Sequence, residues 1–533
     1  MRLLLDIVSV RVIMGLVIFL GYVFLYSPNI GQAQTRASAL TCGALLGIDF
    51  SEIPDAPTQL IRIAEVQASQ IVPSYCRVEG YISTSIGFEI RIPQQSWNGK
   101  LLMQGCGGFC GSYSVINLCD DALARGYACV ATDLGHKSTP IDGKWAYNNP
   151  QAEIDFYYRA THATAQAAKA VVAMFTGERT RKSYFRGCST GGRQGLISAQ
   201  RFPNDFDGII AAAPAGVSSG GGLHLIWSAL ANLDEAGHPI LPASKLQLLH
   251  ESVLKECDAI DGLVDGLIDD PRLCTFDPAD MQCRRRPGDD CFTGPEVLAI
   301  RRIYEGATDS YGHSLYRAVP MYGSELNWSP AYIGLDGQQS IYYRFGGEFF
   351  RYVAFADDPG PGWQPEMFDF DVDPARTGYN RHLNNAASPD LRVFVEQGGK
   401  IISYQGWADQ SVPPLGVIDY LSDVERFMGG KEKVSEFYRL FMLPGVAHCV
   451  GGEGPSRVDV LTALEKWVED GEAPERLIAY KIKADPGNSA AVHLPPPATA
   501  ITQSRPLYPY PAVARYSGAG DTDQWQNFEY FKP

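Results

Sequence analysis

The chain has 533 residues, of which 45% are hydrophobic and 20% charged, with a formal net charge of −15. This length exceeds one minimal domain and predicts a large core domain with an insertion or a second module, while the ordinary composition excludes a fibrous or disordered protein. The acidic balance argues against a nucleic-acid partner, because phosphate binding needs a concentrated basic surface.

The N-terminus predicts an export signal. Arg2 precedes an apolar stretch over residues 12–26, and small residues such as Ala33 follow at suitable distance for a signal peptidase. We therefore assign residues 1–33 to a signal peptide, and we expect a secreted or periplasmic protein without a stable membrane partner after cleavage. An uncleaved anchor is the alternative, because the apolar run approaches the length that spans a bilayer.

Strands and helices are predicted to alternate after the signal. Residues 86–92 alternate between large apolar and small or polar side chains, which is typical of a half-buried strand. A strand over 101–104 runs into the glycine-rich segment 105–111, and the strand over 128–132 ends at Asp133. The elements predicted next are a helix over 153–175, a strand over 184–186, a helix over 192–200 and a strand over 208–213.

This alternation predicts an α/β protein with a mostly parallel sheet that is covered on both faces. It stops after about residue 215. The elements predicted beyond the break are strands over 400–404 and 437–443 and a helix over 458–470. We assign residues 34–216 and 396–533 to a catalytic domain and residues 217–395 to one large inserted lid domain. The Pro- and Tyr-rich tail from residue 495 is expected to run irregularly over the surface.

The run Gly187-Cys188-Ser189-Thr190-Gly191 matches the G-x-S-x-G pattern between a predicted strand and a predicted helix. In α/β-hydrolases this pattern forms a tight turn that lifts the serine hydroxyl out of the sheet edge. The glycines are needed because the turn leaves no room for side chains beside the serine. We therefore predict that Ser189 is the nucleophile of an α/β-hydrolase fold.

A serine nucleophile needs a base and a carboxylate that orients the base. In α/β-hydrolases the acid and then the histidine follow the serine, at the ends of later strands. Asp409 lies just past the strand over 400–404, and His448 lies just past the strand over 437–443. These two residues are predicted for the roles. The less favoured candidates precede the serine, and they are Asp133, His136 and His162.

Two backbone N–H groups are needed to stabilise the oxyanion of the tetrahedral intermediate. Thr190, the residue after the serine, is predicted to supply one, and the glycine-rich loop the other, with Gly108 as first choice and Gly107 as second. Cys188 precedes the nucleophile and Cys449 follows the histidine, so assembly of the relay brings the two cysteines close. We predict a disulfide between them.

Cys188-Ser189, Asp409 and His448-Cys449 resemble the CS-D-HC arrangement of the tannase and feruloyl esterase family. The resemblance covers essentially the whole mature chain. Further segments that look similar to the family are residues 105–111, 187–195, 404–409 and 504–520. The resemblance implies a hydrolase of aromatic carboxylic-acid esters, with a lid domain inserted into an α/β-hydrolase core.

The resemblance also implies a structural Ca²⁺ site in the lid domain. Three carboxylates fall within eight residues around Gly262, which suits a hard, oxygen-seeking cation. The implied ligands are Asp258, Asp261 and Asp265 together with the backbone oxygens of Leu263 and Leu267. An acidic, solvated loop is the alternative.

Twelve cysteines behind an export signal indicate disulfides, and no C-x-x-C pair points to a zinc site. By the resemblance, the expected pairs besides Cys188–Cys449 are Cys257–Cys274, Cys283–Cys291 and Cys42–Cys76. No pairing is assigned to Cys106, Cys110, Cys119 and Cys129.

The substrate stays open at this point. Aromatic residues of the lid domain are candidates to hold an aromatic acyl group, and they are Trp328, Tyr342, Phe349, Phe350 and Trp363. Such side chains form a core more often than a pocket, so none is preferred. Gln405, four residues before the acid, stands where a terephthalate-ester hydrolase of the family has histidine.

We expect a secreted serine esterase that acts on small aromatic esters, with a feruloyl esterase slightly favoured over a tannase or a terephthalate-monoester hydrolase. The alternative from a different class is a calcium-stabilised binding module that has lost the chemistry. The intact set of Ser189, Asp409 and His448 argues against this alternative, because binding alone does not require all three.

Overall fold

A nine-stranded sheet lies at the centre of the described chain. The structure is a computed structural model that describes residues 40–335, 338–483, 496 and 498–533. The predicted signal peptide, residues 1–33, lies outside the described residues. None of the described helices combines the length and the apolar character that a membrane span requires.

The strands of this sheet are β1 (Thr58–Val66), β2 (Tyr75–Ile82), β3 (Ile86–Pro93), β4 (Lys100–Gln104), β5 (Ala128–Thr132), β6 (Lys182–Cys188), β7 (Gly208–Ala212), β8 (Lys400–Gly406) and β9 (Tyr438–Leu443). They are arranged in the order β1-β2-β3-β5-β4-β6-β7-β8-β9. The six strands from β5 to β9 in this order are parallel, and β1, β2 and β3 extend the sheet in antiparallel fashion. The predicted mostly parallel sheet is therefore confirmed.

The helices of the described residues are α1 (Asp120–Ala124), α2 (Pro150–Ile154), α3 (Ala160–Thr176), α4 (Thr190–Arg201), α5 (Ser218–Leu230), α6 (Leu246–Cys257), α7 (Gly294–Glu305), α8 (Trp328–Ala331), α9 (Ile341–Tyr352), α10 (Asp373–Arg376), α11 (Gly378–Asn384), α12 (Arg392–Glu396), α13 (Leu415–Met428), α14 (Lys431–Ser435) and α15 (Val460–Asp470). The helix predicted over 153–175 forms as α2 and α3 with a π-helical turn, Asp155–Arg159, between them. It ends at Gly177 in the left-handed region, with φ of 74°, as expected for a helix C-terminus.

Two hydrophobic cores flank the sheet. Neighbouring residues of one strand belong to different cores, because strand side chains alternate between the two faces: Phe185 packs in one core and Tyr184 in the other, and Ile401 and Ile402 do likewise. Helices α3, α4 and α13 complete the first core, and α1 and α15 complete the second. The sheet is thus covered on both faces.

Strand β3 departs from its predicted half-buried character, because all of its residues are buried. Two charged side chains on its polar face are paired. Arg91 Nε donates to Glu89 Oε1 over 2.8 Å, and Arg77 lies 2.9 Å from Glu89 Oε2. Buried charges persist when they are paired, and the alternation pattern carries no information about such partners.

Residues 217–395, hereafter the insertion, lie between β7 and β8, although these two strands are neighbours in the sheet. The insertion carries helices α5 to α11 and has a hydrophobic cluster of its own, in which Leu249, Phe292 and Trp328 are fully buried. The assignment of this segment to a separate domain stays a prediction.

The C-terminal tail forms strands where the sequence predicts irregular structure. Its elements and their neighbours are β10 (Arg457–Val458), β11 (Leu477–Ile482), β12 (Ile501–Leu507), β13 (Val513–Tyr516) and β14 (Phe528–Phe531). Strand β12 pairs with β11, and β13 with β14. Between them Tyr510 N donates to Leu440 O over 2.7 Å. The tail thereby covers part of the outer edge of β9, whose backbone groups would otherwise be unpaired.

Five disulfides are present in the described residues. All four predicted pairs form, namely Cys42–Cys76, Cys188–Cys449, Cys257–Cys274 and Cys283–Cys291. The fifth joins Cys106 to Cys110. Cys119 and Cys129 are buried free thiols, so the expectation that all twelve cysteines form disulfides is wrong for these two. Buried thiols pack as small apolar side chains.

A buried ion pair supports the strand that leads to the predicted nucleophile. Arg186 of β6 donates to both carboxylate oxygens of Asp121 in α1, over 2.7 and 2.9 Å. Its remaining donors bind Gln104 Oε1 at 3.0 Å and Leu118 O at 2.6 Å. The Arg186 and Asp121 side chains are 1% and 0% exposed, so each charge depends on the other.

We expect Asp121→Ala to lower the free energy of unfolding by about 3–5 kcal/mol, because it leaves the Arg186 guanidinium buried without its counter-charge. Chemical denaturation measures this loss. The matched control is Asp423→Ala, which breaks the exposed pair with Arg426 and should change stability by less than about 1 kcal/mol. Equal losses in the two variants would contradict the prediction.

Candidate active site

The G-x-S-x-G run forms a tight turn between β6 and α4. Ser189 has φ of 63° and ψ of −121°, a backbone conformation that is strained for a residue with a side chain. The turn is held by backbone hydrogen bonds: Ser189 N donates to Ala212 O over 3.0 Å, and Arg193 N donates to Ser189 O over 3.0 Å. A strained serine between a strand and a helix is the geometry of a nucleophile elbow.

Two glycines of this turn are required by close backbone approach. A Cβ atom on Gly187 would lie 2.6 Å from the carbonyl carbon of Gly191. A Cβ atom on Gly192 would overlap Ala212 O in the neighbouring strand. The structure therefore shows the lack of room for side chains that the pattern predicts. The same restriction applies to Gly192, one residue beyond the pattern.

Asp409 and His448 come together at the ends of β8 and β9. His448 Nδ1 lies 2.9 Å from Asp409 Oδ2 and 3.1 Å from Oδ1. The Asp409 side chain is fully buried, and its Oδ1 accepts hydrogen bonds from Ser411 N and Val412 N, each at 2.8 Å. Because the carboxylate accepts on both oxygens, the histidine carries its proton on Nδ1, which leaves Nε2 with a free lone pair.

Ser189 and His448 lie on the walls of the same cavities. Both residues line the cavity described below, and both also line a second, adjacent one. The Cys188–Cys449 disulfide lies beside them, with its Cα atoms 6.0 Å apart. The three residues predicted for the relay are thus brought to one place by three different strands of the sheet.

The less favoured candidates lie in other surroundings. Asp133 is fully buried and accepts hydrogen bonds from Gly87 N at 2.8 Å and Gly135 N at 2.9 Å, which makes it a structural turn residue. His136 stacks on Trp145, and burial lowers the pKa of its imidazole to about 4. His162 Nδ1 pairs with an aspartate of the α4–β7 connection at 2.8 Å. Asp133, His136 and His162 are not among the residues that line the two cavities beside Ser189.

The glycine-rich loop 105–111 lies beside the nucleophile. Thr190 Oγ1 donates to Gly108 O over 2.7 Å, and both residues line the cavity next to Ser189. Gly108 has φ of 58° and its Cα faces Pro140 O without room for a side chain, whereas a Cβ atom on Gly107 would contact nothing within 4 Å. This placement favours Gly108 over Gly107 as the loop donor to an oxyanion.

The loop is braced by the one disulfide that the sequence leaves unassigned. Cys106 and Cys110 bond across Gly108, with Cα atoms 5.5 Å apart. Cys106 N donates to Gln194 Oε1 of α4 over 3.1 Å. The loop is therefore tied to the helix that follows the nucleophile. The sequence held a signal for this disulfide, namely two cysteines four residues apart in one glycine-rich loop.

A largely apolar cavity of about 290 Å³ opens from Ser189. The sheet side supplies Phe109 and Phe156, and helices α5 and α9 of the insertion supply the opposite wall. Phe345 of α9 packs edge-to-face on Phe109 with ring centroids 4.6 Å apart. The other apolar side chains of this wall are Leu225, Ile341, Tyr342 and Phe349. The space suits a flat, apolar group attached to the reacting carbonyl.

This cavity separates the aromatic candidates of the insertion. Tyr342 and Phe349 line it, while Trp328, Phe350 and Trp363 are buried in hydrophobic clusters. Sequence reasoning missed Phe109, Phe156 and Phe345. Phe109 could have been predicted, because it lies inside the glycine-rich segment that was expected beside the nucleophile. The other two belong to helical segments whose orientation only packing determines.

The second cavity, of about 380 Å³, lies on the disulfide side of Ser189. Its lining is more polar and includes Gln104, Arg186 and Tyr404 together with the Cys188–Cys449 disulfide. Arg186 is already saturated by Asp121, Gln104 and a backbone carbonyl. The proposed reacting centre thus has a largely apolar space on one side and a less apolar one on the other.

Gln405 belongs to the carboxylate's surroundings rather than to the cavity wall. Its Nε2 donates to Asp409 Oδ2 and to Val412 O, each at 2.9 Å, and the side chain is fully buried. Gln405 therefore helps to fix the orientation of the Asp409 carboxylate. It does not line either cavity beside Ser189, so its identity bears on the relay and not on direct contact with substrate.

The predicted calcium ligands lie on a tight acidic loop after α6. Asp258 accepts hydrogen bonds from Asp265 N at 3.2 Å and Gly266 N at 3.0 Å, and Asp261 accepts from Leu263 N at 2.9 Å. Burial and neighbouring carboxylates raise the pKa of Asp261 to about 6. Asp265 pairs with an arginine of β12.

Burial also raises the pKa of Asp258. Within the described residues, no three His, Cys, Asp or Glu side chains stand close enough together to form a metal site. The backbone oxygens of Leu263 and Leu267 are on the same loop.

Comparison with known proteins adds a family to this geometry. A family model described as "Tannase and feruloyl esterase" matches residues 69–531. The chain belongs to the tannase and feruloyl esterase family. This is a family of carboxylic ester hydrolases, and the chain is one of them.

Individual relatives agree with the family assignment. The chain is 34% identical over 530 residues to mono(2-hydroxyethyl) terephthalate hydrolase of Piscinibacter sakaiensis, covering 87% of this chain and 85% of that protein. It is 30% identical over 508 residues to a probable feruloyl esterase B-1 of Aspergillus flavus, covering 89% of each.

The solved structure of feruloyl esterase B from Aspergillus oryzae superposes with a TM-score of 0.80 at 26% identity, covering 92% of this chain and 100% of that chain. The predicted α/β-hydrolase fold is thereby confirmed.

Within this tannase-family fold, we expect Thr190→Val to lower kcat about tenfold, with KM changed less than about twofold. Valine keeps the shape of the side chain and removes the hydroxyl that fixes the carbonyl of Gly108, so the loop donor loses its position toward the oxyanion. Steady-state kinetics on a soluble ester measure the change.

The matched control is Thr462→Val in α15. The Thr462 hydroxyl donates to Asp459 Oδ2 over 2.7 Å, and neither residue lines the cavities beside Ser189. Wild-type kcat in Thr190→Val, or an equal loss in the control, would refute the role of this contact.

Proposed function

We propose that the chain hydrolyses esters of aromatic carboxylic acids of the hydroxycinnamic or gallic type, with Ser189 as nucleophile. The observation that carries the proposal is the apolar, phenylalanine-lined cavity that opens from Ser189, next to the buried Asp409–His448 pair. An aromatic acyl group buries its flat apolar face in such a space, while its ester carbonyl stays at the serine.

In the first half-reaction, His448 Nε2 takes the proton of Ser189 Oγ as the oxygen attacks the ester carbonyl carbon. The backbone N–H groups of Thr190 and Gly108 stabilise the resulting oxyanion. When the intermediate collapses, the bond from the carbonyl carbon to the alcohol oxygen breaks. His448 donates its proton to that oxygen, and the acyl group remains on Ser189.

In the second half-reaction, a water molecule attacks the acyl carbon while His448 Nε2 takes one of its protons. Collapse of the second tetrahedral intermediate returns the proton to Ser189 Oγ and releases the carboxylic acid. Asp409 holds the imidazole in the tautomer with Nδ1 protonated and stabilises its charged form in both halves. Ser411 N and Val412 N keep the carboxylate in place.

Among aromatic acids, we favour a feruloyl over a galloyl group. The wall of the cavity is formed by ring and aliphatic side chains such as Phe109, Phe345 and Leu225, which suit a cinnamoyl group better than a ring with three hydroxyls. A terephthalate monoester is the third candidate, which the relatedness to the Piscinibacter sakaiensis hydrolase favours.

The test is a panel of methyl ferulate, methyl gallate, mono(2-hydroxyethyl) terephthalate and methyl hexanoate. We expect the highest kcat/KM for methyl ferulate and at least about tenfold less for the aliphatic ester, because the flat ring buries more apolar surface. Ser189→Ala should lower kcat at least about 10⁴-fold with an unchanged fold.

The control is Ser435→Ala at a partly exposed site in α14, which should keep wild-type rates. A serine-directed phosphonate should modify Ser189 in folded wild type and leave Ser189→Ala unmodified. Turnover retained by Ser189→Ala, or no preference for aromatic esters, would refute the proposal.

We further propose a structural Ca²⁺ bound by Asp258, Asp261 and Asp265, with backbone oxygens of Leu263 and Leu267. The donor set fits a hard cation. The three carboxylates do not converge on one point in this structure, so binding would draw them together around the ion. The repulsion between them, which adds to the burial that raises the pKa of Asp258 and Asp261, is the observation that supports the proposal. A cation there would neutralise the loop and stabilise the insertion, and no catalytic step depends on it.

If this proposal holds, calcium at 100 times its Kd stabilises the protein by about 2.7 kcal/mol, and EDTA lowers the melting temperature by a few degrees. At saturating substrate, kcat should stay unchanged. Asp261→Asn should abolish the calcium response, whereas Asp289→Asn in an exposed loop of the insertion should keep it. A melting curve that neither calcium nor EDTA moves would rule the site out.

Export of the protein is also a proposal, supported by the five disulfides, which persist in oxidising compartments. A periplasmic or extracellular location follows from it. Sequencing the N-terminus of the protein from the medium or periplasm would test cleavage near residue 33.

A further inference from the structure

Two side chains of the insertion bind the backbone of the segment that follows the catalytic acid. Tyr332 OH donates to Gln410 O over 2.7 Å, and His224 Nε2 lies 2.9 Å from the same oxygen. His224 belongs to α5 and Tyr332 follows α8, so both come from the insertion. Neither side chain lines the cavities beside Ser189.

The segment they hold, residues 409–412 (the acid loop), controls both partners of the relay. Ser411 N and Val412 N donate to Asp409 Oδ1 over 2.8 Å each. The side chain of Gln410 reaches the histidine turn, where its Oε1 accepts from His448 N at 3.4 Å. A shift of the Gln410 peptide therefore displaces the carboxylate's donors and the histidine turn together.

The geometry assigns definite hydrogen-bonding roles. Gln410 O is an acceptor, so His224 carries its proton on Nε2 and donates, and its Nδ1 accepts from Ser228 Oγ at 3.3 Å. Burial lowers the pKa of His224 to about 4, which keeps the ring neutral at the pH where an esterase works.

The contacts are buried and reinforced by neighbours. His224 and Tyr332 are 2% and 1% exposed, so loss of either donor leaves a buried acceptor without a water molecule to replace the hydrogen bond, which costs free energy. Tyr342 OH also bonds Ser411 Oγ, and Asn327 Nδ2 donates to Ala408 O at 3.3 Å. The insertion thus binds the acid loop at residues 410 and 411, and it also binds Ala408, the residue directly before the loop.

We propose that His224 and Tyr332 are positioning residues for ester hydrolysis. They hold the acid loop, so the Asp409–His448 pair takes its geometry only when the insertion is packed against that loop. The inference rests on the proposed function. It assigns the insertion a second task besides lining the acyl cavity: it completes the acid end of the relay.

The experiment uses the full chain and 4-nitrophenyl acetate, whose acetyl group is too small to need the acyl wall. Variants are Tyr332→Phe, His224→Leu and the double variant, with His224→Gln as the conservative replacement that keeps an N–H donor near the position of Nε2. Active sites are titrated with a serine-directed phosphonate, so that kcat is obtained per competent site and a merely less stable variant is not misread.

We expect kcat per site to fall about three- to tenfold in each single variant, and less than the product of the two in the double variant, because both donors serve one acceptor. KM should change less than about twofold, and His224→Gln should recover most of the His224→Leu loss. Tyr322→Phe is the matched control, since its hydroxyl donates to a carbonyl within the insertion, Phe276 O at 2.9 Å; its kcat should equal that of the wild type.

Wild-type kcat per site in Tyr332→Phe and His224→Leu, while Ser189→Ala is inactive, would overturn this inference and leave the proposed function intact. An effect on KM alone would also overturn it, because positioning of the acid acts on the chemical step. Turnover retained by Ser189→Ala would instead overturn the proposed function and this inference with it.

Discussion

The Cys188–Cys449 disulfide joins the turn that carries the proposed nucleophile, at the end of β6, to the turn that carries the proposed base, after β9. In the chain-entropy model, a covalent link across a sequence separation of 261 residues stabilises the fold by about 5–6 kcal/mol, because it lowers the conformational entropy of the unfolded chain. Its local effect matters more for catalysis, because the cysteines are the immediate neighbours of Ser189 and His448. The serine and histidine turns cannot separate without breaking a bond.

Other specific bonds hold the segments around the site in place. The glycine-rich loop is closed by Cys106–Cys110 and tied to α4 through Gln194, while Arg186 and Asp121 neutralise one another beneath the strand that ends at the nucleophile. Each element that carries a reacting group is held by at least one bond that packing alone would not supply. Such bracing keeps reacting atoms within the small tolerances that catalysis requires.

The insertion separates β7 and β8 in the chain, yet the two strands pair side by side. The insertion leaves β7 at the sheet edge where the proposed reacting groups lie, and its helices α5 and α9 cover that edge with apolar side chains. The Asp409 side chain is fully buried, which strengthens its electrostatic interaction with His448. The wall of the proposed acyl cavity and the hydrogen bonds to the segment after Asp409 thus come from the same part of the chain.

The sequence by itself determined the succession of strands and helices along much of the catalytic segment. It thereby pointed to Ser189, Asp409 and His448 as the proposed relay, because parallel strands end at the same sheet edge and each of these residues follows such a strand. It also pointed to Cys188–Cys449, since neighbours of juxtaposed residues are themselves juxtaposed. Only the tertiary structure decided that Phe345 lines the cavity while Trp328 is core, that Gln405 supports the acid, and that Cys119 and Cys129 stay unpaired. The insertion does not follow the strand–helix alternation of the rest of the chain, and its contacts join residues far apart in sequence. No local period therefore records which of its side chains reach the site.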